Sequence, residues 1–371
     1  MIDLSKIPII DNHCHPLLEN EDSIEDRFSS FFTEGRNNNS YVKDSMLYLH
    51  AIKDLAFLFD CDETIEAVLE NRRKFSRNSY IQTLIKDAKL DTLLMDTGYP
   101  QDALGMDQLK ELIPCKIKKI LRVEPVIENL LVRCSTFEQL EAEYLNVINS
   151  EAQTRDVVAL KSIIAYRSGL EIKDVRMEDA IREFQYLKLS NKSNKIKLKS
   201  KPLLDYFIKL GLRISSEHNL PFQIHTGFGD PDLNLLEGNP LLLHKIFQDE
   251  DLGNPNIVLL HGGYPYLREA GYLASIYPNA FVDLSLMIPF VQHGMVNGIL
   301  NIMELAPYSK VLYGSDGFSI PELFWIGAKH GRIALSKALQ YMIESGEITP
   351  VKAIEIGKHV LYKNANNLYK I

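Results

Sequence analysis

The chain has 371 residues, 46% hydrophobic and 24% charged, with a formal net charge of -8 at pH 7. That is an ordinary globular composition, with room for one large α/β barrel or two smaller domains. The acidic balance argues against a nucleic-acid or anionic-membrane partner, because such contacts are made largely by lysine and arginine.

In chain order, eight apolar runs too short for helices and bounded by turn residues read as buried strands: Ile7–Asn12, Thr92–Asp96, Ile117–Val123, Val157–Ile163, Phe222–His225, Ile257–His261, Phe281–Leu284 and Lys310–Tyr313. The first is reached within a few residues of Asp3, leaving no space for a signal peptide. After it comes a long excursion, residues 16–89. There an apolar helical stretch (Met46 to Phe59) and a charged one (Glu63 to Phe75) follow the polar loop Gly35–Ser40. This reads as a helical insertion over the barrel mouth, serving as a lid or an oligomer contact, or as a packing excursion. Ser135-Thr136-Phe137-Glu138 is a capping box opening a helix whose Leu140, Tyr144 and Val147 share a face.

Lys188, Lys192, Lys195, Lys197, Lys199 and Lys201 make a basic connector that reads as a solvated loop. Leu203, Phe207, Leu210 and Ile214 then mark one face of a helix running from Pro202 to Glu217. Leu284 to Met303 is the longest uncharged stretch, yet Pro289, Gln292, His293 and Asn297 make it too polar and interrupted to span a bilayer. Thr349-Pro350 starts the terminal helical region. Cys14, Cys61, Cys115 and Cys134 form no CxxC pair and read as reduced thiols of a cytoplasmic protein. Strands alternating with helices predict a parallel (β/α)8 barrel spanning 1–371, with an open doubly wound sheet as the alternative.

The chemistry sits at the strand ends. His13 and His15, two apart on an extended segment, project to one side, while Cys14 points toward the outer helices. His225 closes the fifth run, His261 the sixth, and Asp316 follows the eighth. In a closed ring of parallel strands these five side chains converge on one rim, and imidazoles with a carboxylate suit Zn2+, Mn2+ or Fe2+ better than Ca2+ or Mg2+. A cation so held lowers the pKa of bound water to about 7 and polarises a carbonyl. Asp316 is placed to take and return a proton, and His261 to polarise the carbonyl or bind a second ion. Gly227-Phe228-Gly229 is not a dinucleotide fingerprint, because it lacks the third glycine and a following helix. No G-x-S-x-G occurs.

Several stretches in the same order carry a family resemblance: Asp11-Asn12-His13-Cys14-His15, Leu121-Arg122-Val123-Glu124, Ala165-Tyr166-Arg167-Ser168-Gly169-Leu170, Gln223-Ile224-His225-Thr226-Gly227-Phe228-Gly229-Asp230, Leu260-His261-Gly262-Gly263-Tyr264-Pro265, Arg268-Glu269 and Gly314-Ser315-Asp316-Gly317. The sequence resembles the amidohydrolase superfamily. The branch is the one that includes the amino-terminal half of nodulin and glutamine-synthetase-like fusion proteins of plants and fungi. The resemblance implies a distorted (β/α)8 barrel with a divalent metal at the carboxyl ends of the strands. It maps His13, His15 and His225 onto ligands, Asp316 onto ligand and general base, and His261 onto the sixth-strand histidine of catalysis or a second metal. No synthetase-like half is attached, so a role given by the fusion is not expected.

The resemblance makes Lys161, in the fourth strand, decide nuclearity: carbamylated, as the fourth-strand lysine of binuclear members is, it would bridge two metals; otherwise it is a buried lysine with a carboxylate partner and the site holds one ion. One ion is the expectation. Arg122, Glu124, Arg167 and Arg268 are the substrate-side candidates, since arginine suits bidentate carboxylate binding, with internal Arg122–Glu124 and Arg268–Glu269 pairs as the competing reading. The expected activity is hydrolysis of an amide-type C–N bond in a small carboxylate-bearing molecule, with non-oxidative decarboxylation at the same site as the alternative. A homo-oligomer is compatible with all of this.

Overall fold

The computed structural model describes residues 1–21, 24–35, 40–190 and 196–371. Lys192, Lys195 and most of the Gly35–Ser40 loop therefore lie outside the described residues. All eight strands form: β1 Ile9–Cys14, β2 Leu90–Asp96, β3 Lys116–Arg122, β4 Val157–Ser162, β5 Phe222–His225, β6 Ile257–Leu260, β7 Ala280–Asp283 and β8 Val311–Leu312. They pair in parallel in sequence order. The Asn12 N–H donates to the Tyr313 carbonyl at 3.1 Å and brings the two outer strands together, so the sheet is a nearly closed (β/α)8 barrel.

β1 begins two residues later than its apolar run predicts, because Ile7 turns back on Leu4 and the first ladder bond is made by Ile9 to Lys89. His13 thus stands inside the strand rather than beyond its end. The register against β2 shifts between Asp11 and Cys14. That slip lets both Asn12 and His13 reach residues of the barrel interior, while Cys14 packs outside and its Sγ donates to the Leu94 carbonyl.

Two apolar cores result. A large outer one lies between strands and helices. A small inner one fills the lower barrel with Ile10, Leu94, Ile120, Val258 and Leu312, and Leu260 at the end of β6 continues it upward. The helix Asn364–Tyr369 closes the barrel from its amino-terminal end, contributing Ala365, Leu368 and Tyr369 to that inner core. Asn364 anchors it to the start of β8 by donating to the Tyr308 and Val311 carbonyls.

The excursion between β1 and β2 holds three α-helices, Met46–Phe59, Ile65–Arg73 and Arg77–Asp87. Each is capped by a hydroxyl, from Ser45, Thr64 and Ser76. The third was not expected, although Ser76 and the spacing of Tyr80, Ile81, Leu84 and Ile85 announce it. Arg72 pins this layer to the barrel by pairing with Glu21 and with Glu322, whose buried carboxylate also accepts from Tyr80. Further along, Thr136 rather than Ser135 is the cap of the helix Phe137–Ala152, and Gln139 answers it by accepting from the Ser135 N–H. Lys188 and Lys201 of the basic connector belong to the helices Met177–Ser190 and Lys201–Glu217. No helix among the described residues is long and apolar enough to cross a membrane.

Candidate metal centre

The strand ends place His13, His15, His225, His261 and Asp316 around the carboxyl rim, all but Asp316 buried. Hydrogen bonds behind the imidazoles set which nitrogen carries the proton. The Gln223 amide donates from Nε2 to the Asn12 carbonyl and to the Tyr369 hydroxyl, both at 2.8 Å, so its Oε1 must accept from His13 Nδ1 at 2.8 Å. His15 Nδ1 donates to the Asp96 carbonyl at 3.0 Å. Both Nε2 atoms then carry a lone pair, and both face Asp316 Oδ1, at 3.1 and 3.3 Å, with the Lys161 ammonium 3.2 Å from that of His13. That oxygen is buried and has no hydrogen-bond donor. Lone pairs converging on one buried point repel unless a cation joins them.

A second convergence lies beside the first. His225 Nε2 donates to the Phe228 carbonyl at 3.1 Å. His261 Nδ1 donates at 2.9 Å to Ser285 Oγ, whose own proton goes to Asp283. His225 Nδ1 and His261 Nε2 are left facing each other at 2.8 Å. The ligand atoms of His13, His261 and Asp316 lie within 4.8 Å of one another, as do those of His13, His15 and Asp96. His225 reaches the first of these groups through His261. The donor set fits a divalent transition metal.

Electrostatics keep the set ready to ligate. Burial brings the His13 imidazole down to about 4, helped by the Lys161 ammonium. Burial likewise takes His261 down to about 3, so both are neutral at physiological pH. Burial opposes ionisation of Asp316, but the neighbouring His261, His13 and His15 outweigh it and hold the carboxyl well below the usual range. The backbone is bent to serve the site: His261 and Asp316 adopt positive φ, 68° and 55°, which turns each out of its strand direction.

Lys161 is the buried neighbour of this cluster. Its Nζ lies 2.9 Å from Asp96 Oδ2 and 3.2 Å from His13 Nε2. Arg122 clamps the same Asp96 through Nε and Nη2, at 2.9 and 2.6 Å from Oδ2. Burial works against the Asp96 charge, yet the two cations hold its carboxyl well below the usual range.

The model of the family described as Amidohydrolase (Amidohydro_2) matches residues 198–371. Protein fluG of Emericella nidulans is 28% identical over 98% of the chain, which spans about half (46%) of that relative's length. The crystal structure of a Lactobacillus casei protein, provisionally named a metal-dependent hydrolase, is 28% identical. It superposes with a TM-score of 0.89, covering 100% of this chain and 98% of the other. The carboxyl-terminal part of the chain thus carries the pattern of the amidohydrolase family, and the whole chain is similar to a metal-dependent-hydrolase-like barrel. A uronate isomerase of Thermotoga maritima shares the fold at 17% identity and a TM-score of 0.65, covering 98% of this chain and 95% of its own.

Above the metal-capable cluster of the barrel lies a cavity of about 1060 Å3. Asp26, Ser30 and Glu34 of the excursion contribute to its wall, so that segment does reach the mouth. Arg122 and Arg167 line the cavity. Arg122 pairs with Asp96 instead of Glu124. Arg167 makes one contact, from Nη2 to Glu128 at 3.3 Å, and leaves Nε and Nη1 buried and unpartnered.

The two remaining substrate-side candidates are corrected. Glu124 is wholly buried at the start of the helix Val123–Arg133 and accepts from Ser162 Oγ and the Ile163 N–H, so it braces the end of β4 and does not line the cavity. β3 ends at Arg122, and the period-two alternation that would have aimed Glu124 inward ends with it. Arg268 lies on the exposed face of the helix Leu267–Ile276 and pairs with Glu304, away from the mouth.

Asp96, Gln223, Asp283 and Ser285 were not anticipated. Asp96 could have been found, since it ends β2 much as Asp316 follows β8. Gln223, two residues before His225, shares its strand face. Glu34 carried no signal: burial, with Asp316 and Asp230 adding, pushes its carboxyl up to about 8. The glycines around Phe228 serve packing. A Cβ at Gly227 would lie 2.3 Å from the Tyr264 carbonyl oxygen, and one at Gly229 would collide with the Tyr166 hydroxyl.

Proposed function

We propose that the protein is a metal-dependent hydrolase of an amide-type C–N bond in a small, carboxylate-bearing substrate. The observation that carries this reading is the convergence of two unprotonated imidazole nitrogens on a carboxylate oxygen at the barrel rim that lacks a hydrogen-bond donor. His13, His15 and Asp316, with His225 and His261 beside them, would hold one divalent cation, Zn2+ before Mn2+ or Fe2+. When bound, such a cation polarises the scissile carbonyl and makes water acidic enough to attack.

Asp316 keeps Oδ1 toward the imidazoles and offers Oδ2 to take the proton of the attacking water and return it to the leaving nitrogen. The hydrogen-bond order behind His261 leaves its Nε2 as a lone pair, which favours a ligand role over that of an oxyanion donor. Lys161 stays an ammonium held by Asp96, which favours one ion over a carbamate-bridged pair. Arg167, with two N–H groups unspent, receives the substrate carboxylate, while Arg122 spends its fork on Asp96 and positions that side of the pocket. Residues 16–89 act as an insertion of the single barrel, excluding bulk water. The acidic surface and reduced cysteines support a cytoplasmic enzyme with no nucleic-acid or membrane partner.

The test offers N-acyl amino acids and aromatic carboxylates to zinc-loaded protein in 18O-labelled water. One amine released per bond cleaved, with 18O in the new carboxylate, is the expected result. Release of CO2 without 18O incorporation would replace hydrolysis by decarboxylation. Metal per chain, measured alongside, should be one in wild type, lost in His13→Ala and unchanged in Lys161→Ala.

A further inference from the structure

The Asn364–Tyr369 helix enters the barrel at the end opposite the site, yet one of its side chains reaches the tier of polar groups beneath the histidines. Tyr369 is buried, and its hydroxyl accepts from Gln223 Nε2 at 2.8 Å and donates to Asn12 Oδ1 at 2.9 Å. Each bond leads to a histidine. Through Gln223 the path is short: the amide, with Nε2 held between Tyr369 and the Asn12 carbonyl, can present only its oxygen to His13 Nδ1. Through Asn12 it is longer. Asn12 Nδ2 donates to Asp283 Oδ2 at 2.8 Å. Asp283 Oδ1 accepts from Ser285 Oγ and from the His261 N–H, and Ser285 Oγ accepts from His261 Nδ1.

A single phenolic oxygen therefore sits where the two hydrogen-bond chains meet. An amide can flip, and a flipped Gln223 would present an N–H to His13 Nδ1 and force the proton onto Nε2, the nitrogen that should ligate. The Asn12 carbonyl alone opposes that flip with one bond; the tyrosine adds a second.

We propose that Tyr369 is a positioning residue that selects the metal-binding tautomers of His13 and, through Asn12 and Asp283, of His261, so that the helix closing the barrel floor sets metal affinity at its opposite rim. This rests on the metal reading of the site. Outer partners of ligating histidines typically control affinity by about 10–100-fold.

The test compares wild type, Tyr369→Phe and Leu368→Ala. Leu368 lies on the same helix and packs in the inner core without joining either chain of hydrogen bonds. Zinc affinity is read by competition with a chromophoric chelator, and the His13 tautomer by long-range 15N–1H NMR of metal-free, 15N-histidine-labelled protein.

Tyr369→Phe should bind zinc about 10–100-fold more weakly, with His13 a mixture of tautomers. Leu368→Ala should melt earlier and bind zinc as wild type does. Adding Gln223→Glu to Tyr369→Phe should recover much of the affinity, since a carboxyl offers an oxygen on either side. Unchanged affinity and a pure Nδ1–H tautomer in Tyr369→Phe would overturn the proposal, as would an equal loss in Leu368→Ala. Wild type taking up no zinc would sink the metal reading instead, and the tautomer comparison would still decide what Tyr369 does.

Discussion

The two ends of the barrel interior obey opposite rules. The floor is apolar, built from Ile10, Leu94, Ile120, Val258 and Leu312. One tier higher, Asn12, His13, Lys161, Gln223, Asp283 and Ser285 are just as buried and almost entirely polar. Water is excluded from both, so the upper tier persists because its donors and acceptors are matched to one another. Asp316 Oδ1 and two nitrogens of Arg167 are among the buried atoms that stay unmatched, and both residues line the cavity. Stability and chemistry are thus divided by height within one ring of strands, as in other barrels of this architecture.

Substitutions in each tier should separate the two properties. At the rim, Asp316→Asn should lower kcat by about 10²–10⁴-fold, with the melting temperature little changed; a loss of folding instead would mean that the rim also carries stability. Arg72→Ala, which strands the buried Glu322 carboxylate beneath the insertion, should cost about 3–5 kcal/mol in denaturant unfolding. On the floor, Ile10→Ala should cost about 2–5 kcal/mol and leave metal per chain unchanged. A floor substitution that released metal would erase the distinction between the tiers. The smallest effect is the most diagnostic: zinc at a hundred times its Kd should add about 2.7 kcal/mol of stability, an increment that Ile10→Ala retains and His13→Ala loses.

Much of this was legible in the residues. Short apolar runs spaced by helical patterns gave the eight strands, because burial on both faces of a parallel sheet removes alternation and leaves continuous Ile, Leu and Val. Strand-end polarity located His13, His15, His225, His261 and Asp316 for the same reason that it marks active sites in barrels generally. What escaped was set by distant pairing. Arg122 faces Asp96 because β2 and β3 are neighbours in register, not because Glu124 is near it in sequence. Glu124 was misplaced because β3 gives way to a helix at Val123, where a period of two no longer applies. Tyr369 carried no signal, since nothing local says that a helix near residue 369 reaches back to residue 12.

The left-handed backbone at His261 and Asp316 has a consequence for selection. Each non-glycine residue held there costs roughly 1–2 kcal/mol, a cost that glycine escapes. A library screened for heat tolerance alone should therefore accumulate glycine at these two positions, and its sturdiest members would be inert. Directed evolution of this protein needs a catalytic readout at every round, because durability by itself rewards dismantling the site.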